Sequence, residues 1–298
     1  MILGELLAVI SSVCFSVGPM FNTLAGQQVG AVSVNRVRLV VTALLLMAIH
    51  TALAGTPIPK ILLERWMWLS LSAISSLVVA DTLLFQAFAH IGTRLTMLVH
   101  TVSPILSALL AWVFLGEVLG GLEILGVAVT LFGIGWVVGV GSGQDTPEDQ
   151  HSVNLEGLGL ALGAAVMHAA GATAAKRGLA GEFSALSGHV IRMSVAMIIA
   201  IGWAGLRREI RPTVVQFHQH PAAAKYVVLG AIVGPLVGMW LSLTSLQLTR
   251  VGLATTLMSL PPIFLIPIDH FVFHERITIS DLAGTAMAMV GVAMMFMI

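Results

Sequence analysis

The stretch LTMLVHTVSPILSALLAWVFLGE, residues 95–117, returns in altered form as LATTLMSLPPIFLIPIDHFVFHE, residues 253–275. At a constant shift of 158 residues, Leu95 meets Leu253, Pro104 meets Pro262 and Glu117 meets Glu275. The register continues without a gap, since Gly126 meets Gly284 and Gly133 meets Gly291. Earlier in the chain, Arg38 in VRLVV meets Arg192 in IRMSV at a shift of 154. A proline, a glutamate and two glycines in register over two long apolar runs mark a duplicated unit.

Outward from this pair, the rest of the chain is equally apolar. Of its 298 residues 57% are hydrophobic and only 9% charged, and the mean hydropathy is +0.99. Soluble domains carry about 25% charged residues. A chain of this length without a polar skin needs lipid as its solvent. A bilayer core of about 30 Å takes about 20 helical residues to cross. Ten segments of that size follow one another, at approximately 2–25, 30–54, 66–90, 93–115, 120–140, 153–175, 183–206, 222–247, 251–273 and 278–298. Unlike membrane strands, they do not alternate polar and apolar residues.

The longest polar connections are GSGQDTPEDQHSVN (141–154) and the basic LRREIRPTVVQFHQHP (206–221). The first divides the chain into two repeats, residues 1–140 and 153–298, joined by a linker at 141–152. Five spans per repeat is an odd number, so the second copy enters the membrane from the opposite side. The expected fold is an all-α integral membrane protein of ten transmembrane helices, arranged as two inverted five-helix repeats. Transporters use such repeats to form two states of similar energy. Proline frees a helix carbonyl, which lipid tolerates only where protein or a wet cavity satisfies it. Pro104 and Pro262 are therefore expected as helix breaks facing the bundle interior. Glu117 and Glu275 lie just past the last apolar turn, where a structural role is expected.

Two five-span halves, each with an early arginine in its second span and a P…E…G…G series across its fourth and fifth, resemble the EamA family of the drug/metabolite transporter superfamily. In overall character the chain is similar to the YddG-type amino-acid exporters. The resemblance implies a central cavity between the halves, peripheral fifth and tenth spans, both termini cytoplasmic and a location in the inner (plasma) membrane. The charge distribution across the connections weakly opposes that orientation. One departure concerns the mid-span acid of related four-span multidrug transporters. Here that place holds Cys14 and Phe15, and its counterpart in the sixth span is His168.

An ionisable group at mid-membrane costs roughly 2.5–3.5 kcal/mol on insertion scales, so each needs a reason. Arg38, Asp81 and His100 sit at a shared depth, roughly 10–14 Å from one face. A buried Arg38–Asp81 ion pair with His100 as hydrogen-bond partner is one reading. A substrate path through Asp81 or His100 is the other. The second half has Arg192 but Met239 and Met258 at the positions matching Asp81 and His100. Arg192 thus lacks an obvious acid and is a candidate for a substrate carboxylate. His168 is centred among small residues in GAAVMHAAGATAA, as either a packing histidine or a proton carrier. His50, His90 and His189 are expected near the interfaces. Phe15, Phe85 and Trp240 are candidates for an apolar wall, and Met97 and Met258 for an adaptable surface. Ser103 and Ser259, beside the two prolines, complete the candidate substrate-binding set.

The leading functional expectation is a secondary active transporter that exports amino acids or related small metabolites by alternating access. A proton-coupled multidrug exporter is the alternative, and an intramembrane enzyme a remote one. No GxxxxGK[ST] phosphate loop, HExxH or GxSxG motif occurs, so no nucleotide-driven or hydrolytic site is expected. The formal net charge of +0 excludes a nucleic-acid partner. The single cysteine, Cys14, excludes an internal disulfide or a multi-cysteine zinc site. No metal and no cofactor are expected. The expected partners are the small-molecule substrate, protons and the lipid bilayer, with the protein a monomer. The first segment carries Glu5 and no basic leader, and is expected as a retained span.

Overall fold

The computed structural model describes residues 2–140, 155–181, 183–264 and 279–296. Helix is the regular structure throughout, and no strand occurs among the described residues. The first half comprises α1 (Ile2–Val29), α2 (Ala31–Ala54), α3 (Leu63–Ala73), a π-helical segment Ile74–Ala80, α4 (Asp81–His100), α5 (Ser103–Leu115) and α6 (Gly121–Val140). The second comprises α7 (Leu155–Gly178), α8 (Ala185–Leu206), α9 (Ile210–Gln219), α10 (Pro221–Ala231), a π-helical segment Ile232–Gly238, α11 (Met239–Leu248), α12 (Val251–Met258) and α13 (Ile279–Phe296). Among the described residues eight stretches are long and apolar enough to cross a bilayer, and two shorter apolar helices, Val251–Phe264 and Leu282–Met295, accompany them.

The two π segments lie at the shift of 158 residues first seen in the sequence, 74–80 against 232–238. The contacts obey the same exchange. A methyl on Gly126 would press on the Gly291 carbonyl oxygen at 3.0 Å, and one on Gly133 on that of Gly284 at 2.6 Å. Moving seven residues forward on α6 moves seven back on α13, so the two helices run antiparallel. Swapping the halves converts one glycine pair into the other, as a two-fold axis in the membrane plane requires. Gly18 against Gly234 is matched likewise by Gly171 against Ser76. Small residues at these crossings let backbones touch where lipid supplies no hydrophobic drive.

Two elements differ from the sequence expectation, and the chain breaks its helices at both prolines. The turn between the third and fourth spans lies inside a continuous helical assignment, 81–100. Asp81 and His100 nevertheless both reach His168, although a straight helix would separate them by about 28 Å. The chain must therefore fold back within α4, and Leu63–Leu84 and Leu95–Leu115 form separate spans. Pro104 lies at a helix break, between α4 and α5. It occupies the first turn of α5, where its missing N–H has no helical acceptor to lose. Around Pro262, α12 ends at Met258 and a helical turn resumes at 261–264. The basic connection 206–221 contains a helix of its own, α9, with Val214 and Val215 exposed. Glu275 and the linker 141–152 lie outside the described residues.

Glycines in the left-handed region close two junctions: Gly30 (φ 79°) separates α1 from α2, and Gly116 (φ 69°) ends α5. Beyond Gly116, the Glu117 carboxylate accepts the backbone N–H of Val251 at 2.7 Å, capping α12, and meets Lys176 Nζ at 2.5 Å. Arg250 pairs with Glu123 beside it. These contacts tie the halves together at the face that also holds Gly4, next to Leu248. At the opposite face Arg36 pairs with Glu209, and Ser33 donates to Gln216 Oε1 at 2.8 Å.

Candidate functional site

Between the halves lies a cavity of about 350 Å³. The two π segments and the start of α5 shape it. A π turn adds a residue to the helical circuit and is frequent at functional sites. The first places Ser76 and Leu77 on the lining and rotates Asp81, which follows it, to the same wall. The second places Gly234 and Pro235 there, and Met239 follows it. Its Pro235 carbonyl accepts from His189 Nε2 at 2.6 Å. His189 is fully buried, not interfacial as its position near a segment end implied, because this carbonyl needs a partner inside the bundle.

The candidate residues converge unequally. Asp81, His100, Ser103, Pro104 and His168 line the cavity from the first half and α7. Phe15, Arg192, Met258 and Ser259 line it from α1, α8 and the end of α12. Met97 lies outside the lining and is 40% exposed, on a surface suited to lipid. Trp240, also outside it, packs with Leu236 and Met193. Pro262 is half-buried but not part of the lining. The Phe85 side chain lies outside the described residues. The lining also includes Asn22, Ser107, Ser242 and Thr255. These hydroxyls and the amide carry no charge, so the cost of an ionisable group in the membrane does not mark them in the sequence. A lone asparagine in an apolar span was the available signal for Asn22.

Two imidazoles and a carboxylate form a short chain. His100 Nε2 lies 3.0 Å from His168 Nδ1, with the rings edge to face at 4.9 Å between centroids. His168 Nε2 lies 3.7 Å from Asp81 Oδ1. A neutral His168 protonated on Nε2 would point that proton at the carboxylate and accept from His100. Ser103 fixes the base of this wall by donating to the Ala165 carbonyl at 3.2 Å.

The expected Arg38–Asp81 ion pair does not form. Arg38 Nη2 donates to Asn35 Oδ1 at 2.6 Å, and the side chain facing the acid is His168, at 3.7 Å. Matching depth was not enough, because the π segment changes which way the Asp81 side chain points. Arg192 is 3% exposed. Its Nη2 donates to Ser76 Oγ at 2.9 Å, and its Nη1 lies 3.7 Å from the Met239 sulfur. Its Nε has no partner. No cluster of His, Cys, Asp and Glu among the described residues has the grouping to hold a metal ion.

The pseudo-symmetry breaks where the chemistry lies. Asp81, His168 and His100 correspond across the halves to Met239, Phe15 and Met258, so the acid and both imidazoles on the lining belong to one side of the pseudo-symmetry and apolar side chains take their places on the other.

The model of the EamA-like transporter family matches residues 2–139 and 155–297. Among solved structures, one crystal structure of a protein superposes with a TM-score of 0.72 at 16% identity, covering 98% of this chain and 94% of that one. At this identity the likeness is one of fold. No curated protein sequence matches the chain.

Proposed function

We propose, for a chain that belongs to the EamA-like transporter family and is thus a multi-pass membrane transporter, a secondary active carrier that exports amino acids or related small metabolites by alternating access. The observation that carries this reading is the cavity between the inverted halves, whose lining combines the charged Asp81 and Arg192 with apolar side chains such as Phe15, Met239 and Met258. Such a lining suits a small solute with a polar head and an apolar side chain. Inverted repeats supply two related conformations, one open to each compartment. The Asp81–His168–His100 chain would exchange protons with whichever side the cavity faces, and Asp81 can also receive a substrate ammonium group. The expected setting is the inner membrane with both termini cytoplasmic, and the working unit is a monomer.

Export from preloaded proteoliposomes, with apolar amino acids and cationic dyes compared under an imposed proton gradient, tests the reading. Movement of amino acids supports it. Movement of lipophilic cations alone would favour the multidrug alternative, and no movement of any solute would remove both.

A further inference from the structure

Arg192 lines the cavity wall and is 3% exposed, more deeply buried than Arg38, the other arginine on the lining. A guanidinium has five N–H donors. Here one meets a hydroxyl, Ser76 Oγ, and another meets only a thioether, the Met239 sulfur, while Nε meets nothing. Among the described residues Arg192 has no acidic partner. At the position where the first half carries Asp81, the second half carries Met239, which cannot neutralise a charge. A buried, uncompensated charge is costly, and this one is held at the wall of a cavity that a ligand can enter.

The charges around the cavity point the same way. Its lining contains Arg38, Arg192 and Asp81, so with both histidines neutral it carries one excess positive charge. A ligand carboxylate would cancel that excess, whereas a lipophilic cation would add to it. A phosphate dianion would overshoot it. The thioether contact of Nη1 is weak and easily displaced, and carboxylates match the guanidinium fork in shape. Phe15, Met193 and Met258 on the lining offer apolar surface to the remainder of the ligand.

We propose that Arg192 is the carboxylate-binding subsite of the cavity, so that the carrier selects monocarboxylates bearing an apolar substituent and rejects organic cations. This rests on the carrier reading for its transport consequence, but the binding it asserts does not depend on translocation.

The test compares L-leucine, leucinamide, 4-methylpentanoate and tetraphenylphosphonium on the purified protein, by ligand-induced shift of Tm and by calorimetric titration. L-Leucine and 4-methylpentanoate should both bind and raise Tm. Leucinamide and tetraphenylphosphonium should bind at least about 30-fold more weakly, the loss expected when a buried charge pair loses one partner. Arg192→Gln should weaken both carboxylates by a similar factor and leave leucinamide unchanged. Arg192→Lys should recover part of the affinity. The comparison of ligands on the unaltered protein needs no variant to fold. Equal affinity for leucine and leucinamide, absence of carboxylate binding, or undiminished leucine binding by Arg192→Gln would each overturn the proposal. Arg192-dependent leucine binding without translocation in proteoliposomes would instead sink the carrier reading and leave the subsite standing.

Discussion

His168 sits between a carboxylate and a second imidazole, so removing its ring breaks both contacts at once. His168→Ala should lower proton-driven export at least about tenfold, as loss of a positioned acid–base group does. Tm should move by only a few degrees, because the ring borders the cavity and its removal enlarges an existing space. Export at wild-type rates would remove His168 from the mechanism. His189 makes the contrasting case. It is fully buried and serves the Pro235 carbonyl, so His189→Leu should cost about 1–3 kcal/mol through an unpaired buried acceptor. Thermal unfolding in detergent measures that loss. Both residues were visible as histidines in apolar segments. Only their neighbours, 68 residues from His168 and 46 from His189, separate a proton-handling candidate from a structural donor.

Among the elements, the α6–α13 pair has the tightest tolerances. A methyl on Gly133 would lie 2.5 Å from the backbone nitrogen of Ala288, whereas one on Gly202 would meet nothing. Gly133→Ala should therefore cost about 1–3 kcal/mol by forcing the helices apart. Gly202→Ala should be neutral or stabilising, since alanine favours helix. Equal Tm values for the two variants would contradict the packing described. The cap of α12 supplies a second check. Glu117→Gln loses the Lys176 ion pair and weakens the cap on Val251. It should cost about 1–3 kcal/mol, and adding Lys176→Met should restore part of the loss. The sequence placed Glu117 at the end of an apolar run and implied a structural role. It did not reveal that the helix being capped belongs to the other half.

For the whole molecule, the inverted halves fix which connections share a face. The 55–62 connection shares its face with the 179–184 connection, since His50 Nε2 meets Ser187 Oγ at 3.0 Å and Arg65 stacks on Phe183. The connection after α8 lies on the other face, beside Arg36 through Glu209. In a Cys14→Ser background, cysteines at Thr56 and Ala180 should label with an impermeant thiol reagent from one side of the membrane, and a cysteine at Arg207 from the other. Labelling of all three from one side would contradict opposed halves.

The amino-acid sequence by itself determined the solvent, the duplication and its inversion. Those follow from composition, from the register of Pro104, Glu117, Gly126 and Gly133 with their copies, and from the odd number of spans expected in each copy. All are properties a linear pattern carries, because apolar length and sequence shift survive without knowledge of contacts. Only the tertiary structure decided that Asp81 meets His168 rather than Arg38, and that the break at Pro104 is the start of α5. It also decided that Arg192 lines the cavity, where its nearest polar partner among the described residues is Ser76. The physical reason is rotation: residue spacing sets depth in the membrane, but a π turn or a fold within a helix sets the direction of each side chain. Direction determines which charges meet.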